Sequence, residues 1–356
     1  MSVRKWSLAA GVALGTAAFF LFLLTARPSE DRWHTTKAFI PKGSTYPEIE
    51  NPLVRRGLLR YPVAFRLLVA GTWTGRKLQH GEYAFPAPPS ALELWEKIVN
   101  GDVAKYQVTI PAGSTIQDVA RTLESLELAD AEEFLAAATS PELAGRMGIP
   151  GSTAEGYLFP DTYTLVKDMP VEEIIGVMVR RFRRMFTEGM ERLAARDGFT
   201  PDQIVTIASI IEKESGTDPE KPLISAVIRN RLAIGMPLQM DPTVIYGLKK
   251  FRGTLTKKDL RQPTPYNTYV LQGLPPGPIS NPGLSSLEAA VRPSEADYLY
   301  FVSRNDGTHQ FSRTLREHNE AVMTYRKERD GNVARRDGTG TAGNPAEAQA
   351  TLPPRR

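Results

Sequence analysis

The chain opens on a stretch with no polar face. Residues 7–26, SLAAGVALGTAAFFLFLLTA, are nearly all apolar and carry no charge. That is about the length a helix needs to cross a hydrocarbon core. Arg4 and Lys5 precede it, and Arg27, Glu30, Asp31 and Arg32 follow. The positive-inside bias therefore predicts a single-pass anchor in the inner (cell) membrane. The N-terminus is cytoplasmic and the bulk of the chain periplasmic or otherwise extracytoplasmic. The rival reading is a cleaved signal peptide, but the run is long for one and Leu24-Thr25-Ala26 makes a weak cleavage site.

Beyond the anchor the pattern repeats itself. Ile40-Pro41-Lys42-Gly43-Ser44-Thr45 returns as Ile110-Pro111-Ala112-Gly113-Ser114-Thr115. In each copy a β-rich lead-in (KAFI, YQVTI) enters a Pro–Gly turn, and the Ser/Thr pair offers an N-cap to a helix. Two short helical patterns follow each turn. The first copy has Leu53, Val54, Leu58 and Leu59, then Val63, Phe65, Leu67, Leu68 and Val69. The second has Ile116, Val119, Leu123 and Leu126, then Phe134 and Leu135. LQHGEYAF (78–85) reads as a closing strand and Leu92–Val99 as a helix. Over residues 36–86 this β-α-α-β order resembles the LysM fold, and the resemblance implies contact with N-acetylglucosamine polymers. The alternative is a plain spacer.

PELAGRMGIPG (141–151) reads as a loop, and EGYLFPDTY (155–163) as a tight aromatic turn or a sugar-facing one. Residues 171–196 predict one amphipathic helix burying Ile174, Ile175, Val177, Met178, Val179, Phe182 and Phe186. Arg180, Arg181, Arg183 and Arg184 form its solvated face. A helix over 223–234 closes at Gly235, and a short one begins near Asp241-Pro242. The Pro/Gly-rich stretch 263–283 excludes a regular helix or a central strand, and long ordered loops of that kind are usually functional. Further on come a helix at Ser285–Ala290, a strand at Tyr298–Val302 and a last helix ending near Arg329. A polar, disordered tail is expected over 330–356.

The densest apolar helix, 203–214, ends in two glutamates, Glu212 and Glu214. At 100° per residue Glu214 continues the side bearing Ile207, Ile210 and Ile211, while Glu212 points about 160° away from it. One carboxyl thus looks inward and its neighbour outward. A carboxyl in an apolar pocket has the raised pKa that a general acid needs at neutral pH. Two solvated glutamates at a helix end are the plainer reading of the same residues. Asp241 serves equally as the cap of the helix it opens.

Composition narrows the field. The net charge is +4, with no basic stripe interleaved with aromatics, which argues against nucleic acid. There is no cysteine, so disulfides, thiol catalysis and thiolate metal sites are excluded. The four histidines, His34, His80, His309 and His318, show no metal-ligand spacing, so no metal and no cofactor are expected.

ASIIEKES (208–215), RNRLAIGMPLQMDPTVIYG (229–247), PYNTY (265–269), GLPPGPISNPG (273–283), YLYFV (298–302) with GTHQFSRTLREHN (307–319), and EGYLFPDTY (155–163) closely resemble, in one order, the endolytic murein transglycosylases of the YceG/MltG family. The resemblance implies a lyase that cuts the MurNAc-β-1,4-GlcNAc bond of nascent peptidoglycan strands and leaves 1,6-anhydroMurNAc ends. It places the catalytic acid on Glu214, with Glu212 as fallback. It implies substrate positioning by Glu155, Asp241, Tyr246, Asn267 and Tyr269, and peptidoglycan synthases as partners. Two rivals remain: a muramidase-type hydrolase of the same bond with Asp241 as second carboxylate, and a peptidoglycan-binding scaffold without catalysis. The expected fold is α+β. Residues 1–27 form the cytoplasmic tip and transmembrane helix, and 36–105 a LysM-like arm with its connector. Residues 106–329 form a helix-rich mixed catalytic domain, and 330–356 the tail.

Overall fold

In the computed structural model, residues 3–29, 33–248 and 253–336 are described. The chain divides into two compact units. One gathers residues 1–108, 125–129 and 163–170, and the other 109–124, 130–162 and 171–356.

The first unit begins with α1 (Val3–Thr25). It continues as β1 (Thr36–Ile40), α2 (Tyr46–Arg55), α3 (Pro62–Gly71), β2 (Gly81–Phe85), α4 (Ala91–Val99) and the start of β3 (Tyr106–Thr109). The β-α-α-β order expected over 36–86 is present, with β1 antiparallel to β2 and Ala38 opposite Tyr83. Pro62 opens α3 at a position where a missing N–H is harmless. Ser90 caps α4 in a box with Glu93. Ala38, Ile40, Leu53, Phe65, Tyr83, Leu94 and Ile98 form the core, and Phe20, Leu23 and Leu24 from the end of α1 pack against it. Kinship with LysM does not follow from element order alone. Among the described residues no helix is long and apolar enough to cross a membrane.

The second unit holds α5 (Ile116–Ser125), α6 (Ala131–Ala138) and α7 (Pro141–Arg146). The chain then returns to the first unit, where Tyr163–Leu165 of β4 (Thr162–Leu165) pair with β3, and the second unit resumes with α8 (Val171–Met185), α9 (Glu188–Arg196), α10 (Pro201–Glu214) and α11 (Lys221–Ala233). The unit closes with α12 (Asp241–Gly247), α13 (Leu284–Val291), the hairpin β5 (Tyr300–Ser303) and β6 (His309–Ser312), and α14 (Leu315–Arg336). Several expectations change here. The loop at 141–151 begins as a short helix, because Ser140 accepts a hydrogen bond from the Leu143 N–H and Pro141 fits the first turn. The aromatic turn at 155–163 runs into a strand. The single helix 171–196 is two, since Thr187 takes an extended N-cap conformation. The last helix runs past Arg329 to Arg336. Residues 337–356 of the expected tail lie outside the described residues.

The repeated turns fold alike. Gly43 and Gly113 take φ values of 80° and 78°, a left-handed conformation that favours glycine. Ser44 Oγ donates to the Pro41 carbonyl at 2.8 Å and Ser114 Oγ to that of Pro111 at 2.7 Å. The Thr45 and Thr115 N–H groups donate to Glu48 and Asp118 at 2.7 and 2.9 Å.

Candidate active site

Helix α10 is the axis of the second unit and packs against α9, α11, α12 and α13. Thr200 and Gln203 form its capping box, and Pro201 occupies its first turn. Every residue from Ile204 to Ile211 is buried. The helix is buried all round as far as Ile211, and its last turn emerges with Lys213 exposed and Glu212 and Glu214 half-buried.

The two terminal glutamates fare differently. Both oxygens of Glu212 are occupied. Oε2 accepts from the Gly283 N–H at 2.9 Å and from Ser286 Oγ at 2.7 Å, and Oε1 pairs with Lys221 at 3.4 Å. Glu212 is therefore not solvated, as its outward direction implied; its carboxylate is spent on the start of α13 and on Lys221. Glu214 is half-buried and has no hydrogen-bond partner among the described residues. Burial pushes its pKa up to about 8, the charge of Asp241 adds to that, and Arg231 opposes it.

Asp241 sits at the first helical position of α12, behind the N-cap Met240, and among the described residues its side chain makes no capping hydrogen bond. Instead, Tyr269 Oη donates to its Oδ1 at 2.6 Å. Burial raises the Asp241 pKa against that bond. The pairing is built by the backbone of two loops. Gln239, two residues before Asp241, is held at φ 52°, a strained conformation for a residue with a side chain. Its N–H donates to the Thr268 carbonyl at 3.1 Å, and the Met240 N–H to Thr268 Oγ1 at 3.0 Å. Asn267 is fully buried and spends its side chain on the loop. Its Nδ2 donates to the carbonyls of Leu260 and Gln262, and its Oδ1 accepts from the Tyr269 N–H at 2.9 Å. Asn267 thus positions Tyr269, and the expectation that it lines the substrate is corrected.

Glu155 also departs from expectation. It is 1% exposed and takes N–H donors from Ile116 and Asn281, with Tyr246 Oη donating to Oε2 at 3.1 Å. Burial pushes its pKa up to about 8 even so. This sealed carboxyl holds the start of α5 and cannot reach a polymer. Tyr246 is half-buried, stacked edge-on with Tyr266 at 4.8 Å. The structure therefore gathers Glu214, Asp241 and Tyr269 in one site and ties Glu155 to Tyr246 in another network.

Two functional residues escaped the sequence reading. Arg231 is 7% exposed, with Nε donating to the Leu299 carbonyl at 2.6 Å and its guanidinium also on that of Leu238 at 2.5 Å. It is the cation acting on Glu214. Its place on the Ile224–Val227–Ile228 side of α11 was the available signal. Asn281 bridges Gly156, Leu158, Ser114 and Glu155, inside a motif that had been noted only as a loop.

A half-buried carboxyl with no donor among the described residues, beside a carboxylate held by a tyrosine, has the features of a candidate acid site. Comparison with known proteins gives the family. The YceG-like family model matches residues 38–324, and the chain belongs to that family. A Bacillus subtilis protein named endolytic murein transglycosylase is 30% identical over 313 residues, covering 83% of this chain and 86% of its own. A Streptococcus pneumoniae protein of the same name is 28% identical over 318 residues, covering 80% of this chain and 57% of its own. The crystal structure of a YceG-like protein from Listeria monocytogenes is 32% identical, with a TM-score of 0.56 over 81% of this chain and 99% of that one.

Proposed function

We propose that the chain is an endolytic peptidoglycan lytic transglycosylase, a carbon–oxygen lyase. The observation that carries this is Glu214, held protonated near neutral pH at the end of α10 beside Asp241, in a family whose relatives bear that name. Glu214 gives its proton to the O4 oxygen of the departing N-acetylglucosamine as the C1–O4 bond of the muramic residue breaks. The C6 hydroxyl then closes on C1 to form the 1,6-anhydro ring, and its proton returns to the Glu214 carboxylate. One carboxyl serves as acid and then base, unlike the two-carboxylate hydrolytic scheme. Asp241, held by Tyr269, supplies negative charge near the developing cation at C1.

The same reading takes α1 as a single-pass membrane anchor, supported by the uncharged run 7–26 and by exposed Val12, Leu14, Phe19, Leu21 and Phe22. That placement would put the active site outside the cytoplasm, and analogy with the family supplies peptidoglycan synthases as partners. The β-α-α-β arm is taken as a LysM-like wall-binding module, on its order and length.

Mass spectrometry of products from un-crosslinked glycan strands tests the reaction. Anhydromuramic ends from the wild type but not from Glu214→Gln are expected. Reducing ends would replace the lyase with a hydrolase using Asp241, and cleavage by Glu214→Gln would remove the assigned acid.

A further inference from the structure

The duplicated turns differ in what covers them. In the second copy, the Gly113 N–H donates to the Asn281 carbonyl at 2.9 Å, and the Asn281 N–H donates to the Ser114 carbonyl at 2.8 Å. The stretch Ser280-Asn281-Pro282 is thus docked on the turn through a reciprocal pair of backbone bonds. In the first copy, neither the Gly43 N–H nor the Ser44 carbonyl has a partner among the described residues. The turn instead borders an open pocket of about 640 Å³ lined by Phe39, Pro41, Lys42, Glu48, Pro52, Arg55 and Arg56.

The charges follow the same division. Lys42, Arg55 and Arg56 of the first copy correspond, seventy residues on, to Ala112, Ser125 and Leu126. The copy that holds a segment of its own chain is neutral at those positions, and the uncovered copy carries three cations. Lys42 and Arg55 have no anionic partner among the described residues. The pocket's carboxylate, Glu48, is committed to the Thr45 cap. Phe39, 36% exposed, adds an apolar wall.

We propose that this pocket binds the acidic peptide stem carried by peptidoglycan strands. An amide of the stem takes the place on Gly43 and Ser44 that Asn281 takes on Gly113 and Ser114, while a stem carboxylate meets Lys42 and Arg55. The proposal rests on the reading of the substrate as murein. A strand freed of its stems offers these cations isolated lactyl carboxylates, whereas the stem brings carboxylates together with the amides that can pair with Gly43 and Ser44. The arm thereby selects peptide-bearing strands over bare ones.

The test measures binding by the full chain carrying Glu214→Gln, so that strands stay intact. Three probes are compared: strands with native stems, the same strands with stem amines acetylated and carboxylates amidated, and strands freed of stems by an amidase. Native-stem strands are expected to bind about tenfold more tightly than either other probe. Adding Lys42→Ala and Arg55→Ser, the residues of the second copy, is expected to erase that preference. Equal binding of the three probes, or a preference that survives the double substitution, overturns the inference. Wild-type cleavage measured in parallel separates the two readings. Strands that are cleaved but bound without regard to stems sink only this inference, and strands neither bound nor cleaved sink both.

Discussion

Glu214 and Glu155 lie in the same unit, and both are pushed to a pKa of about 8 chiefly by burial. They are nonetheless different objects. Glu155 is sealed and receives Ile116, Asn281 and Tyr246, so its proton has nowhere to go. Glu214 keeps part of its surface open, has no donor among the described residues and faces a second carboxylate. A raised pKa thus marks burial, and what separates an acid catalyst from a structural carboxyl is access together with unspent hydrogen-bonding capacity.

The sharpest way to break that contrast is to neutralise each in turn. Glu214→Gln is expected to lower strand cleavage by about 10²–10⁴-fold, read from product formation at fixed enzyme concentration. Glu155→Ala is expected to act on stability, by about 2–4 kcal/mol in chemical denaturation, because Ile116 and Asn281 lose a buried acceptor. Cleavage by that variant should fall only with the folded fraction; a loss in fully folded protein would return Glu155 to the reacting site.

Smaller effects sharpen the picture around Glu214. Tyr269→Phe removes the donor to Asp241 and is expected to slow cleavage on the order of tenfold with little change in melting temperature. Wild-type cleavage is expected to decline as pH rises through about 8, where Glu214 loses its proton. Asp241→Asn removes the neighbouring negative charge, so that decline should move to lower pH; an unmoved or alkaline-shifted limb would mean that Asp241 does not act on Glu214. The smallest effect is thermodynamic. Glu214 binds its proton more tightly folded than unfolded, with a pKa near 8 against 4.5. Stability is therefore lost as pH climbs between those values. Glu214→Gln should melt above the wild type at pH 9, and the gap should narrow toward pH 5.

Much of this was legible in the chain. The period of 203–214 placed the helix and set Glu212 and Glu214 on different sides of it, but it did not tell that Glu212 is half-buried too. The repeated turn and its β-α-α-β frame came from local pattern and capping chemistry, which are short-range. What stayed hidden was long-range. The Tyr269–Asp241 bond joins positions 28 residues apart through an irregular loop, where no periodicity tells which side chains meet. Glu155 and Asn267 sat in the right motifs, yet a motif does not say whether a polar group faces a cleft or the scaffold behind it. Asn281 was lost among prolines although it stitches four partners. The strand Thr162–Leu165 was missed because its pairing partner, Tyr106–Thr109, lies over fifty residues upstream.

The bonds from Glu212 to Gly283 and Ser286 carry a mechanical consequence. Two residues apart on one helix, Glu212 and Glu214 form a rigid crank. Any twist of α10 about its axis that swung Glu214 out of the cleft would have to tear Glu212 from the start of α13 and from Lys221. The Glu214 carboxyl is thus aimed by torque resisted on the opposite side of its own helix, with no hydrogen bond of its own among the described residues.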